Sequence, residues 1–156
     1  MKTIKRTVLI MIVAMLLLPF AVYSVVVIAN NCIADGIERD LRSVELPPNT
    51  TLVESFSIAG KMFGNGNGMQ YIGVILVKSE LPLEDLEAHY QSKGECIGEY
   101  ISVRKQDGSA WLGVHTFMNF DTDANYYAID CMKTNMSHYE DSGFIWKLLD
   151  IDLRGH

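Results

Sequence analysis

Asp121, Asp123 and Asn125 stand at alternate positions, the spacing with which an EF-hand loop begins to wrap oxygen donors around calcium. The rhythm then stops. Tyr126 occupies the place of the required glycine and Met132 that of the bidentate glutamate, so the segment reads first as Asx side chains capping a turn, with a weak calcium site as the alternative. His89, His115 and His138 have no zinc-ligand spacing with one another or with the cysteines. Glu84, Asp85 and Glu87 could be taken for hydrolytic carboxylates, but at the start of a helix they are more simply acids facing water. No Gly-x-Ser-x-Gly elbow is present. The residues therefore point to no catalytic set and to no cofactor.

Gly64-Asn-Gly-Asn-Gly68 has the composition of a loop that cradles phosphate, where glycine lets backbone N–H groups approach an anion. A strand pattern follows it instead of a helix, and neither Lys-Ser nor Lys-Thr comes directly after it. Asn65 and Asn67 are thus expected to supply the positive φ angles of a turn, with a binding loop as the second reading. Trp111, His115 and Phe117 alternate with Leu112, Val114 and Met118, so the three rings share one strand face. That face is either a second core layer or an exposed aromatic surface for a ligand. Cys96 and Cys131 could close a loop of 36 residues, and spacing leaves a disulfide and two separate buried thiols both open. Cys32 is the odd one out, read first as a lone thiol, with a bridge between two chains as the alternative.

The elements that must position these residues begin with a membrane segment. Thr7 to Ala29 is 23 residues without a charge, and about 20 apolar residues suffice to cross a ~30 Å hydrocarbon layer. Pro19 lies inside it and is tolerable in lipid as a kink. Lys2, Lys5 and Arg6 precede the run and no acid does, so the positive-inside rule predicts a cytoplasmic stub over residues 1–6, a transmembrane helix over 7–29 and an extracytoplasmic remainder. A cleaved signal peptide is the competing reading, since Val27-Ile28-Ala29 has the small-residue pattern of a cleavage site; the apolar run exceeds the usual ~7–15 residues of a signal core. A lipoprotein is disfavoured because Asn30 and Asn31 precede Cys32.

Setting aside the first 29 of 156 residues leaves 127, enough for one domain. Those residues hold 10 Lys and Arg against 19 Asp and Glu, a net charge of −9, which disfavours nucleic acid as a partner. Ile33, Ile37, Leu41 and Val44 form one stripe among charged residues, predicting an amphipathic helix that continues from the membrane through 30–46. The stripe packs either on the chain's own domain or against a second protomer. Pro47-Pro48 ends it and opens the domain over 47–156.

Beyond Thr51 the period changes to two, with Leu52, Glu54, Phe56 and Ile58 alternating with Val53, Ser55 and Ser57. Tyr71 to Val77 is a nearly continuous apolar run, typical of a central strand covered on both faces. Leu83, Leu86 and Tyr90 mark a helix that starts after Pro82. Asp107-Gly108 predicts a hairpin between 97–104 and 110–118, Tyr126 to Met132 a further strand, and Phe144 to Leu153 a terminal strand. The expected fold is α+β: an N-terminal transmembrane helix, then an antiparallel sheet of about five to six strands with one helix packed on a face.

Gly60-Lys-Met-Phe-Gly-Asn-Gly-Asn-Gly-Met-Gln70, with Ile75-Leu-Val-Lys-Ser79 and Leu83-Glu-Asp-Leu-Glu87, resembles single-pass membrane proteins of Gram-positive bacteria. The resemblance covers about a quarter of the chain, implies a bacterial cell membrane, and brings with it no catalytic or binding residue. The function expected from the whole is a non-enzymatic, membrane-anchored interaction domain. A pilin-like or pseudopilin-like assembly subunit is one alternative, for the basic start, the proline-containing apolar helix, the amphipathic extension and the sheet share that layout, although no glycine precedes the run and no glutamate opens it. A small envelope hydrolase is the other.

Overall fold

The structure, a computed structural model, describes residues 2–62, 68–93, 100–121, 124–134 and 144–152. Helix α1 runs unbroken from Lys2 to Ser43, 42 residues or about 63 Å, with Pro19 inside it. It is long and apolar enough to cross a membrane, its most apolar 18-residue window having a mean hydropathy of 2.7. From Ile4 to Val25 its side chains are exposed. From there a stripe turns inward: Val26, Asn30, Ala34, Ile37 and Leu41 are all buried, at intervals of four, four, three and four. Ile33 and Val44 pack alongside them, so the amphipathic stripe is used against the protein's own sheet. Arg42 pairs with Glu38 at 3.4 Å on the outer side, and Pro47-Pro48 follow the end of the helix.

The sheet is antiparallel, in the order β1 (Thr50–Gly60), β2 (Gln70–Ser79), β6 (Tyr126–Thr134), β3 (Tyr100–Gln106). β1 and β2 pair from Thr50↔Ser79 to Gly60↔Gln70. Their open end is tied by a buried Thr50–Ser79 hydroxyl contact of 2.7 Å, and Leu81 N–H donates to the Ser79 hydroxyl. β2 is covered on both faces, as its apolar run requires. Tyr71, Ile75 and Val77 face α1 in a core that also takes Tyr127, Ile129 and Cys131; Ile72, Val74 and Leu76 face a second core with Trp111, Phe117 and Tyr126. Helix α2 (Leu83–Gln91) begins after extended Pro82, buries Leu86 and Tyr90 in the first core, and keeps Glu84 and Asp85 in its first turn.

Two expectations about pairing are corrected. The 97–104 and 110–118 segments do not form a hairpin with each other: β3 pairs with β6, while 110–116 folds on itself as β4 (Ala110–Trp111) and β5 (His115–Thr116), a separate two-stranded sheet. Its turn contains Leu112 at φ 46° and Gly113 at φ 75°. A planar hairpin would leave Ile72, Val74 and Leu76 in water. The turn at 107–109 instead sends the chain across that face, where it buries them. The described part of the expected terminal strand is likewise a helix, α3 (Phe144–Leu149), followed by a turn at Asp150, closed by Ile151 N–H donating to the Leu148 carbonyl, and by residues 151–152, which join no sheet. Asp150 and Asp152 accept from the Met69 and Lys61 backbone N–H groups, so their alternation serves a clasp at the β1–β2 end. The architecture is α+β, with a four-stranded antiparallel sheet plus a two-stranded one where a single larger sheet was expected.

Candidate functional site

Among the described residues, a cluster of polar and aromatic side chains lies on the sheet face opposite α1, where residues of β4 and β5 meet β1. A β-bulge between Leu52 and Glu54 shifts the register there. Leu52 pairs with Val77, which faces α1, whereas Glu54 pairs with Leu76, which faces the second core. The bulge thus puts a carboxylate beside an apolar layer.

Phe56 organises that layer. His115 stacks on it with ring centroids 3.8 Å apart and planes 17° from parallel, while Trp111 and Phe117 meet it edge-on at 5.3 and 5.8 Å. Trp111 and Phe117 are buried and His115 is half-buried, so the sequence-derived trio is brought together as a second core layer. The opposite side of this segment is the exposed one. Leu112, Val114 and Met118 are 49%, 44% and 85% exposed.

Glu54 holds this cover down. Its Oε2 accepts from Met118 N–H at 2.8 Å, Asn119 N–H at 3.2 Å and the Asn119 side-chain amide at 3.4 Å, and its Oε1 lies 3.4 Å from His115 Nε2. Desolvation pushes its carboxyl upward, but the Asn119 and Met118 N–H groups and the neighbouring His115 outweigh that and hold it below its ordinary value of 4.5. A carboxylate so fully engaged acts as a clamp. Little of its lone-pair capacity is left for a substrate proton.

A second acid, this one buried, lies on the same face. Asp130 is paired across the strands with Ser102, and Arg104 Nη2 stands 3.2 Å from its Oδ1 and 3.4 Å from its Oδ2, only the latter with hydrogen-bond geometry. Burial raises its carboxyl to about 6 against the pull of Arg104. Such a group can exchange a proton near neutrality, and it marks where acid–base chemistry would have to begin. Neither acid stands out in the sequence as a site residue. The available signals were an acid among the alternating apolar residues of β1 and a single acid inside the apolar run of β6.

The remaining candidates are not brought together. Asn65, Asn67, Asp123 and Cys96 lie outside the described residues. Asp121 and Asn125 are exposed, and the Asn125 carbonyl accepts from Ser79 N–H at 3.1 Å, an element-closing bond. Among the described residues no group of three or more His, Cys, Asp and Glu is close enough to hold a metal ion. Cys131 is buried in the first core and Cys32 is exposed on α1. His89 Nε2 is 2.8 Å from the Glu45 carbonyl and joins α2 to the end of α1. No protein-family model, curated protein or solved structure matches this chain.

Proposed function

We propose that the chain is a single-pass, signal-anchored bacterial membrane protein. In this reading its α+β domain stands outside the cell membrane and acts, without catalysis, as an interaction module for a protein or envelope component. The observation that carries the proposal is the continuity of α1: the apolar, exposed half and the half that forms the core of the domain are one helix. Cleavage after Ala29 would leave Val26 and the turn below Asn30 missing from the packed stripe, which favours retention over removal as a signal peptide. Three Lys and Arg residues before the apolar run, against two, Arg39 and Arg42, in the 20 residues after it, favour the cytoplasmic N-terminus. The interaction surface is the outer hairpin, where Leu112, Val114 and Met118 keep apolar area in water.

A pilin-like assembly subunit is the second reading. A long helix with a free apolar half and a second half laid on an antiparallel sheet favours it, while the missing glycine and glutamate oppose it. Photo-cross-linking in intact membranes separates the two. Probes at Leu112, Val114 and Met118 should capture a different polypeptide. Adducts of the chain with itself, formed only through α1 positions such as Leu9 and Leu16, would favour assembly; no adduct at the hairpin overturns the interaction module.

A further inference from the structure

Helix α3 has the sequence Phe-Ile-Trp-Lys-Leu-Leu and contacts α1 near the end of its apolar run. Asn30, the first amide after that run, is only 2% exposed and is engaged on both sides. Its Nδ2 donates to the Leu149 carbonyl at 3.1 Å and its Oδ1 accepts from the Tyr71 hydroxyl at 3.0 Å. The C-terminal end of α3 is therefore level with the last turn before the polar part of α1. One turn nearer the N-terminus, Val26 is 1% exposed while Val25 and Ile28 are 63% and 61% exposed. Folded protein thus covers one side of α1 inside the apolar stretch itself.

The lengths fix what surrounds that level. Twenty-three apolar residues rise about 35 Å, some 5 Å more than a hydrocarbon layer of about 30 Å. A layer that begins near Thr7 ends close to Val26. The exit of α3 is pinned beside the β1–β2 end, where Asp150 accepts from Met69 N–H at 2.6 Å and lies 3.7 Å from Lys61 Nζ, and Asp152 accepts from Lys61 N–H at 3.2 Å. α3 carries two aromatic residues, Phe144 and Trp146, with one cation, Lys147, and membrane boundaries select that composition. Phe144 is 79% exposed, and Ile151 just beyond the helix is 44% exposed.

We propose that α3 is a second membrane contact, lying in the headgroup–acyl boundary of the leaflet from which α1 emerges, with lipid covering Phe144 and Ile151. The inference rests on the anchored reading of α1 and extends it. Two contacts, one spanning and one lying flat, hold the domain at a set height and rotation above the bilayer. Because the part beyond residue 29 has a net charge of −9, the contact is apolar: a zwitterionic surface suffices, and added salt leaves it intact.

The test uses the full chain in phosphatidylcholine vesicles, with flotation on a density gradient reporting the anchor and tryptophan quenching by brominated lipids reporting α3. The chain has two tryptophans, and Trp111 is 1% exposed within the second core, so the difference between Trp146→Phe and the double variant Trp146→Phe, Phe144→Trp isolates a reporter at position 144. Expected is flotation with quenching of that difference signal at least about twofold stronger from bromines near the acyl carbonyls than from bromines at the chain ends, unchanged by salt. Ile151→Asp, at an exposed position just beyond the helix, should weaken the quenching without abolishing flotation. Flotation without quenching of the reporter overturns the inference and leaves the anchor standing. Failure to float overturns the anchor and the inference with it.

Discussion

Asp130 and Glu54 occupy the same face of the sheet and respond to pH with opposite signs. Burial raises the Asp130 carboxyl from 3.8 to about 6, so the folded state prefers it protonated, and its ionised form costs up to about 3 kcal/mol at neutral pH. That cost shrinks as pH falls from above 6 towards 4. Glu54 is held below its ordinary 4.5, so its contribution is present above that value and is lost as pH falls through its folded pKa. The window between about 4 and 6 therefore belongs to Asp130. Asp130→Asn should raise the urea midpoint at pH 7.5 and give little or no gain at pH 4, flattening the pH dependence in between. An equal gain at both pH values would mean that burial does not raise the carboxyl's pKa in the fold.

At the scale of elements, the contact that sets the whole arrangement is the crossing of α1 over β2 at Gly73. A Cβ there would fall 2.5 Å from the Glu38 nitrogen, 2.6 Å from its Cα and 2.8 Å from the Ile37 carbonyl carbon. All three are backbone atoms, which cannot rotate aside. Gly73→Ala must therefore lift the helix off the sheet and open the first core around Ile37 and Leu41, at a cost of about 1–3 kcal/mol or more. A lower melting temperature together with faster amide exchange in 34–43 is the expected outcome. Gly36→Ala, in the same helix with nothing within 4 Å of the added Cβ, is the control and should be neutral or stabilising by up to about 1 kcal/mol. Gly73 was legible in the sequence only as the one residue without a side chain in an apolar run; that a helix backbone fills the missing volume depends on packing between distant segments.

For the molecule as a whole, the orientation across the membrane is the property from which the proposed role follows. Cys32 lies just beyond the apolar run and is exposed, whereas Cys131 is buried. In a Cys96→Ser background, a membrane-impermeant maleimide should label intact cells, and adding Cys32→Ser should remove most of that signal. Labelling that appears only after permeabilisation would reverse the topology and withdraw the extracytoplasmic role. The same run also decides how much of the molecule could be anticipated. Its length, its lack of charge and the basic residues before it are local facts, and a helix satisfies its own backbone hydrogen bonds, so no partner is needed to foresee α1.

Features whose physics is local were legible in the residues alone: the apolar helix, the inward stripe through Ile37 and Leu41, the two-sided burial of Tyr71 to Val77, the helix after Pro82, and hence the α+β class. Which segments pair was settled only by long-range packing. Alternation reports that a segment has two faces and not which strand it will join, so β3 took β6 while the ring-bearing segment 110–117 left the sheet plane to cover Ile72, Val74 and Leu76. The alternating Asp150-Ile151-Asp152 likewise looked like a strand because its acids recur at every second residue. In three dimensions those acids close the end of the β1–β2 pair, and the apolar residues before them coil against α1, because only the assembled fold brings Lys61, Met69 and Asn30 within reach.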